Sequence, residues 1–112
     1  MKIYHNPRCS KSREGLAILE ESNTQFEVVL YLDQLLTKAE LTEIIQLLGI
    51  SPIELIRKNE SLWKENYKAK NLTDMELIKV MIENPKLIER PIVINNGKAV
   101  IGRPPEIIKS IL

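Results

Sequence analysis

Apolar and polar residues along this chain switch between two periods, and the switches mark its elements. Lys2-Ile3-Tyr4 reads as a short strand that Asn6-Pro7 cuts off. A helix is expected from near Cys9 or Ser10 to about Glu21, with Leu16, Ala17, Ile18 and Leu19 forming its buried face. Phe26 to Leu32 returns to strand. There Val28, Val29, Leu30 and Tyr31 make a near-continuous apolar run, the pattern of a strand buried on both faces. Two strands joined by a crossover helix should lie parallel, with a right-handed connection.

The middle of the chain is helical and is punctuated by capping boxes. Thr37-x-x-Glu40 precedes Leu41, Ile44, Ile45 and Leu48, which share one helix face. Ser51-Pro52-x-Glu54 places Ser at a cap and Pro at the first helical position. Thr73-x-x-Glu76 opens a helix to about Asn84, which Pro85 stops, and Ser61 to Tyr67 is a further short helix. Pro91-Ile92-Val93-Ile94 and Lys98-Ala99-Val100-Ile101 flank Asn95-Asn96-Gly97, a strong hairpin signal. Gly102-Arg103-Pro104-Pro105-Glu106 then starts a last helix, with Ile107, Ile108 and Ile111 apolar.

The order is βαβ, a helical insertion over about 37–84, then ββα. A parallel βαβ plus an antiparallel hairpin predicts an α/β fold with a four-stranded mixed sheet. This is a thioredoxin-like arrangement, in one domain over 1–112.

Composition narrows the chemistry. In 112 residues, 44% are hydrophobic and 28% charged, a globular balance. Sixteen Lys+Arg against 15 Asp+Glu leave +1, which removes the electrostatic case for a nucleic-acid or polybasic membrane binder. No apolar run is long enough to span a bilayer, and no apolar stretch of a signal peptide follows Lys2, so a cytoplasmic, reducing location is expected. The single cysteine excludes an intramolecular disulfide and a Cys-x-x-Cys pair. With only one histidine besides, no metal site is expected.

Cys9 stands where a strand and a Pro-containing loop lead into a helix. Free N–H groups and the positive end of the helix dipole there favour a thiolate. The commonest role of a free cysteine is structural burial, but Asn6-Pro7-Arg8-Cys9-Ser10-Lys11-Ser12-Arg13 is polar on both sides. The Ser12 hydroxyl is placed to face the sulfur across the first helical turn. His5 is a base, an orienting donor or a plain surface residue, with the last favoured. Asn6 suits a local bond in the loop. Only five of the 16 basic residues are arginines. Arg90 and Arg103 sit at strand ends before prolines and Arg57 ends the Ser51-capped helix. Guanidinium forks at such places grip tetrahedral oxyanions. Phe26, Trp63 and Tyr67 are core or partial core, and Lys64 to Lys70 is a solvated face.

Taken together, Ile3-Tyr4-His5-Asn6-Pro7-Arg8-Cys9-Ser10-Lys11-Ser12-Arg13, Leu30-Tyr31-Leu32, Leu55-Ile56-Arg57-Lys58-Asn59, Ile88-Glu89-Arg90-Pro91-Ile92-Val93 and Gly102-Arg103-Pro104-Pro105-Glu106 resemble the glutaredoxin-coupled arsenate reductases of the ArsC family, in order and over nearly the whole chain. The chain looks closer to the small chromosomal ArsC-like members than to the plasmid-type enzymes. The resemblance implies a thioredoxin-like fold with a helical insertion and Cys9 as nucleophile. It implies Arg57, Arg90 and Arg103 as oxyanion ligands and Pro91 as a cis proline, with supporting roles for His5 and Ser12. It also implies arsenate as substrate, glutathione as co-substrate with no bound cofactor, and glutaredoxin as the reducing partner. Two alternatives stay open. One is a thiol oxidoreductase acting on another substrate. The other is an Spx-like redox-sensing regulator that binds RNA polymerase; there Ser12 stands where the regulators often carry a second cysteine.

Overall fold

The computed structural model describes residues 1–112. Four strands form one mixed sheet in the order β2-β1-β3-β4: β1 (Lys2–Tyr4), β2 (Glu27–Val29), β3 (Ile92–Asn95) and β4 (Lys98–Ile101). β1 pairs parallel with β2 through Ile3 and Val28, and antiparallel with β3 through Ile3 and Val93. β3 and β4 are the expected hairpin. Asn96 and Gly97, at φ 51° and 75°, supply the two left-handed residues of its tight turn. Between β1 and β2 runs α1 (Ser10–Glu21).

The chain divides into two compact units, Met1–Gln34 with Arg90–Leu112, and Leu35–Glu89. In the sheet unit, Ile3, Leu19, Val93 and Ile108 are fully buried, with Leu16, Ile18, Phe26, Val100 and Ile111 packed against them. Deep burial of each such side chain contributes about 1.5–3 kcal/mol.

Three expectations are corrected here. The second strand ends at Val29, not Leu32, and it is an edge strand rather than one buried on both faces. Glu27 and Val28 are exposed. The apolar run continues past it because a turn, closed by Asp33 and Gln34 N–H groups on Leu30 O, folds Tyr31 inward to 1% exposure. On α1 the buried positions are Ser12, Gly15 and Leu19, while Ala17 is exposed. The α1 face is selected for small size, because a Cβ at Gly15 would lie 2.8 Å from Pro91 Cγ and 2.9 Å from Ile108 Cδ1. Lastly, the terminal helix is a 3-10 segment, Pro105–Ile111.

The second unit contains α2 (Lys38–Leu48), α3 (Ser61–Asn66) and α4 (Asp74–Glu83), with 3-10 segments at Pro52–Leu55 and Pro85–Leu87. Leu41, Ile44, Leu55, Trp63, Leu77, Met81 and Leu87 are among its buried residues. Both Thr boxes close reciprocally. Glu40 and Glu76 N–H groups donate to Thr37 and Thr73 Oγ1 at 3.1 and 3.2 Å, and the Thr N–H groups donate back to the carboxylates at 3.0 Å. Ile56 and Ile88 form an isolated antiparallel bridge. Around it Arg57 N–H donates to Leu87 O at 2.7 Å and Glu89 N–H to Leu55 O at 2.8 Å. No helix is long and apolar enough to cross a membrane.

Candidate active site

Chain direction alone delivers Cys9 to the start of α1. After β1, Asn6 and Pro7 break the strand, and two bonds tie the turn. Arg8 N–H donates to Asn6 Oδ1 and Cys9 N–H to Asn6 O, both at 3.0 Å. Asn6 thus takes the local role expected of it. Cys9 becomes the N-cap residue, extended at φ −100° and ψ 124°, and its carbonyl accepts the first helical bond from Arg13 N–H. No side chain caps this end, and its first turn carries no acidic residue.

The N–H groups of the first turn face the sulfur instead. Burial pushes the Cys9 thiol up. Hydrogen bonds from Ser12 N–H, the Arg90 guanidinium and Lys11 N–H, together with the Arg90 charge, outweigh that and hold it below its ordinary range. Arg103 Nη2 donates to Sγ at 3.6 Å. Its Nε donates to Arg90 O at 2.8 Å, so the carbonyl of one arginine orients the guanidinium of the other. Arg90 itself is 9% exposed. A buried cation needs a nearby negative charge, and a thiolate supplies one.

Both arginines precede cis peptide bonds, Arg90-Pro91 and Arg103-Pro104. The first fits the expectation for Pro91; the second was not anticipated. Gly15 and Gly102 let the surroundings close in. A Cβ on either would come within 2.8 Å of Pro91 Cγ. Neither glycine was singled out from the sequence. A lone glycine inside a helical pattern was the available signal for Gly15, since it often marks close packing.

Ser12 and His5 behave differently from expectation. The Ser12 hydroxyl does not face the sulfur. It is fully buried, accepts from Asn6 N–H at 2.9 Å and lies 2.7 Å from His5 Nδ1. Only the Ser12 backbone N–H serves Cys9. The reason is that Ser12 lies on the inward face of α1 beside the β1 end, where two polar groups need a partner. His5 is no surface residue, at 5% exposure. Burial pushes its pKa down, against a hydrogen bond with Ser12 that raises it, and the Arg13 charge lowers it further. It is therefore neutral near pH 7.

The sheet unit thus brings together Cys9, Arg90, Arg103 and Pro91, with Asn6, Ser12 and His5 behind them. Arg57 belongs to the helical unit. There it follows the 3-10 segment and the Ile56 bridge position. Its Nε lies 3.4 Å from Glu60 Oε1, and its Nε and Nη1 are buried with no hydrogen-bond acceptor.

Chemically, this is a thiol of lowered pKa flanked by two guanidinium groups and by helix N–H donors, a set suited to nucleophilic attack on a bound anion. The sequence matches the ArsC family over residues 4–111. It is 54% identical over 108 residues to the Escherichia coli protein YfgD, which is named as uncharacterized, covering 95% of this chain and 91% of the relative. It is 47% identical to an arsenate reductase of Haemophilus influenzae, covering 98% and 97%. The solved structure of an arsenate reductase from Vibrio cholerae superposes with a TM-score of 0.93 at 46% identity, covering 100% of this chain and 98% of that one.

Proposed function

This chain belongs to the ArsC family, and from that premise we propose that it reduces arsenate to arsenite through a covalent intermediate on Cys9. The observation that carries the reading is the lowered Cys9 thiol held between Arg90 and the Arg103 Nη2 at 3.6 Å. Support also comes from the names of its relatives in Haemophilus influenzae and Vibrio cholerae.

In this reading Arg90 and Arg103 take the oxyanion. The family resemblance implies Arg57 as a further oxyanion ligand. The cationic groups offset the charge of arsenate and the charge that gathers on its oxygens during attack. The Cys9 thiolate donates its electron pair to arsenic, an As–O bond breaks, and the oxygen leaves as water after protonation. The product is a Cys9 thiol–arsenate adduct.

The chain has one cysteine, so no second thiol of its own can resolve this adduct. Glutathione adds to arsenic as a second sulfur ligand, with loss of another water. A glutaredoxin thiolate then attacks the glutathione sulfur. The As–S pair stays on arsenic, which passes from As(V) to As(III), and glutathione leaves as a mixed disulfide with glutaredoxin. Water releases arsenite and returns the Cys9 thiolate. These donors belong to a reducing cytoplasm, and no bound cofactor takes part.

The test is arsenate-dependent NADPH oxidation coupled through glutathione reductase, glutathione and glutaredoxin, for the wild type beside Cys9→Ser. Saturable turnover that disappears in the variant is expected. Absence of turnover in a folded protein with a reactive Cys9 would overturn arsenate as substrate and favour thiol chemistry on another one.

A further inference from the structure

After α3 the chain turns back on itself. Tyr67 N–H and Lys68 N–H both donate to Trp63 O, at 3.0 and 2.9 Å, and Lys70 N–H donates to Tyr67 O at 2.9 Å. Side chains stack along the same turn. The Tyr67 ring lies 6.0 Å from the Trp63 ring at 26°, and the Lys70 ammonium group lies 5.5 Å from the centre of the Tyr67 ring. Ring stacking and cation–π attraction hold the three side chains in one arrangement.

This turn walls a cavity of about 340 Å³ whose lining lies wholly within the helical unit and includes no residue of the Cys9 site. Its volume is at the lower end of the range for small-molecule sites, about 300–1,000 Å³. Ile53, Leu72, Leu77 and Trp63 give it an apolar lining. Lys68 and Lys70 come from the stretch that reads in sequence as a solvated face. Both are exposed, but both also line this cavity, beside Asn71.

Two observations say what such a cavity would take. The first is Trp63. It is 6% exposed, and its indole N–H, the only polar group of the side chain, has no acceptor in the protein and is not sealed from outside. A buried indole usually finds a partner, so an acceptor held in the cavity would be favoured there. The second is charge. Two ammonium groups, on Lys68 and Lys70, stand against one carboxylate, on Asp74, and leave the lining with one net positive charge.

We propose that this cavity binds an organic monoanion, a carboxylate carried on a small aromatic or branched apolar body. The body packs on Ile53, Leu72 and Leu77. The carboxylate accepts from the Trp63 indole N–H and is paired by Lys68 and Lys70. The inference is independent of the arsenate reading.

The experiment titrates the full chain with 3-phenylpropionate, its neutral amide 3-phenylpropionamide and the cation phenethylamine. Trp63 is the only tryptophan, so a single indole N–H resonance reports on the cavity. Saturable movement of that resonance is expected with the acid, at a Kd of about 1 mM for a ligand of this size. Lys68→Gln and Lys70→Gln should each weaken the acid by about two- to fivefold, the scale of one exposed ion pair, and leave the amide unchanged. A packing defect would weaken acid and amide alike. Asp74→Asn should tighten the acid by a similar factor, a gain that partial unfolding cannot mimic.

No saturable movement with the acid at about ten times that concentration would overturn the proposal. So would an amide or amine that binds as tightly as the acid, or lysine variants that bind the acid like wild type.

Discussion

The N-terminus of α1 and those of α2 and α4 solve the same problem in opposite ways. A helix start leaves N–H groups without partners. In the helical unit, Thr37 with Glu40 and Thr73 with Glu76 consume them reciprocally. In the sheet unit, Cys9 caps nothing, no acidic residue enters the first turn, and the N–H groups of Lys11 and Ser12 point at a sulfur. Donors spent on a cap stabilise the fold. Donors left over lower a thiol and stand ready for an anion. One local device serves stability in one unit and chemistry in the other, and only the identity of the N-cap side chain and its N3 partner separates the two.

The largest effect that would break this contrast is expected from Gly15→Ala. The new Cβ meets Pro91 and Ile108 at under 3 Å, so α1 must shift or the fold must strain. Destabilisation of about 1–3 kcal/mol is expected from overpacking, with Cys9 reactivity falling as the helix end moves from Arg90. Chemical denaturation alongside thiol alkylation reads both. An alanine variant with wild-type stability would mean that the close approach is not maintained in solution.

Arg90→Gln sharpens the comparison by separating the Arg90 charge from the helix end. Cys9 keeps its Ser12 and Lys11 N–H bonds but loses the guanidinium, so its pKa rises toward the ordinary value. The sign follows directly. A thiol whose folded pKa is depressed is thiolate above that value, so alkylation at pH 7 should slow severalfold in the variant and recover as pH rises. The same depression adds stability at and above the ordinary thiol range of about 8.5. That stability is lost as pH falls through the lowered folded value. A pH–alkylation profile identical to wild type would take the shift away from Arg90 and leave it to the helix end and Arg103.

The smallest effect is expected at the capped ends. Thr73→Ala removes the acceptor of Glu76 N–H and should cost about 1 kcal/mol, seen as a drop of roughly 4 °C in Tm. Cys9 alkylation should not change. A change in thiol reactivity would show that the caps of the helical unit reach the chemistry after all.

Much of this was legible in the sequence, because it rests on local rules. The Thr37 and Thr73 boxes, the Asn96-Gly97 hairpin and the placement of Cys9 where a strand gives way to a helix each follow from a few adjacent residues. The errors arose where distant contacts decide. Tyr31 is apolar because a turn buries it, not because a strand continues. Ala17 lies on an apolar stretch but faces outward, since α1 packs through Ser12, Gly15 and Leu19. His5 read as a surface residue, and its burial depends on the side of α1 that meets the end of β1.

The sequence by itself determined the order of elements, the solitary nucleophile and the scarcity of arginines, because composition and short-range periodicity are properties of the chain alone. Only the tertiary structure decided which groups meet. Arg90 and Arg103 converge on Cys9 from positions more than 80 residues away. The Ser12 hydroxyl turns inward to Asn6 and His5 and leaves the sulfur to its backbone N–H. The physical reason is common to both. Which polar group satisfies which is fixed by burial and packing across the sheet, and those distances are not written in the spacing of residues along the chain.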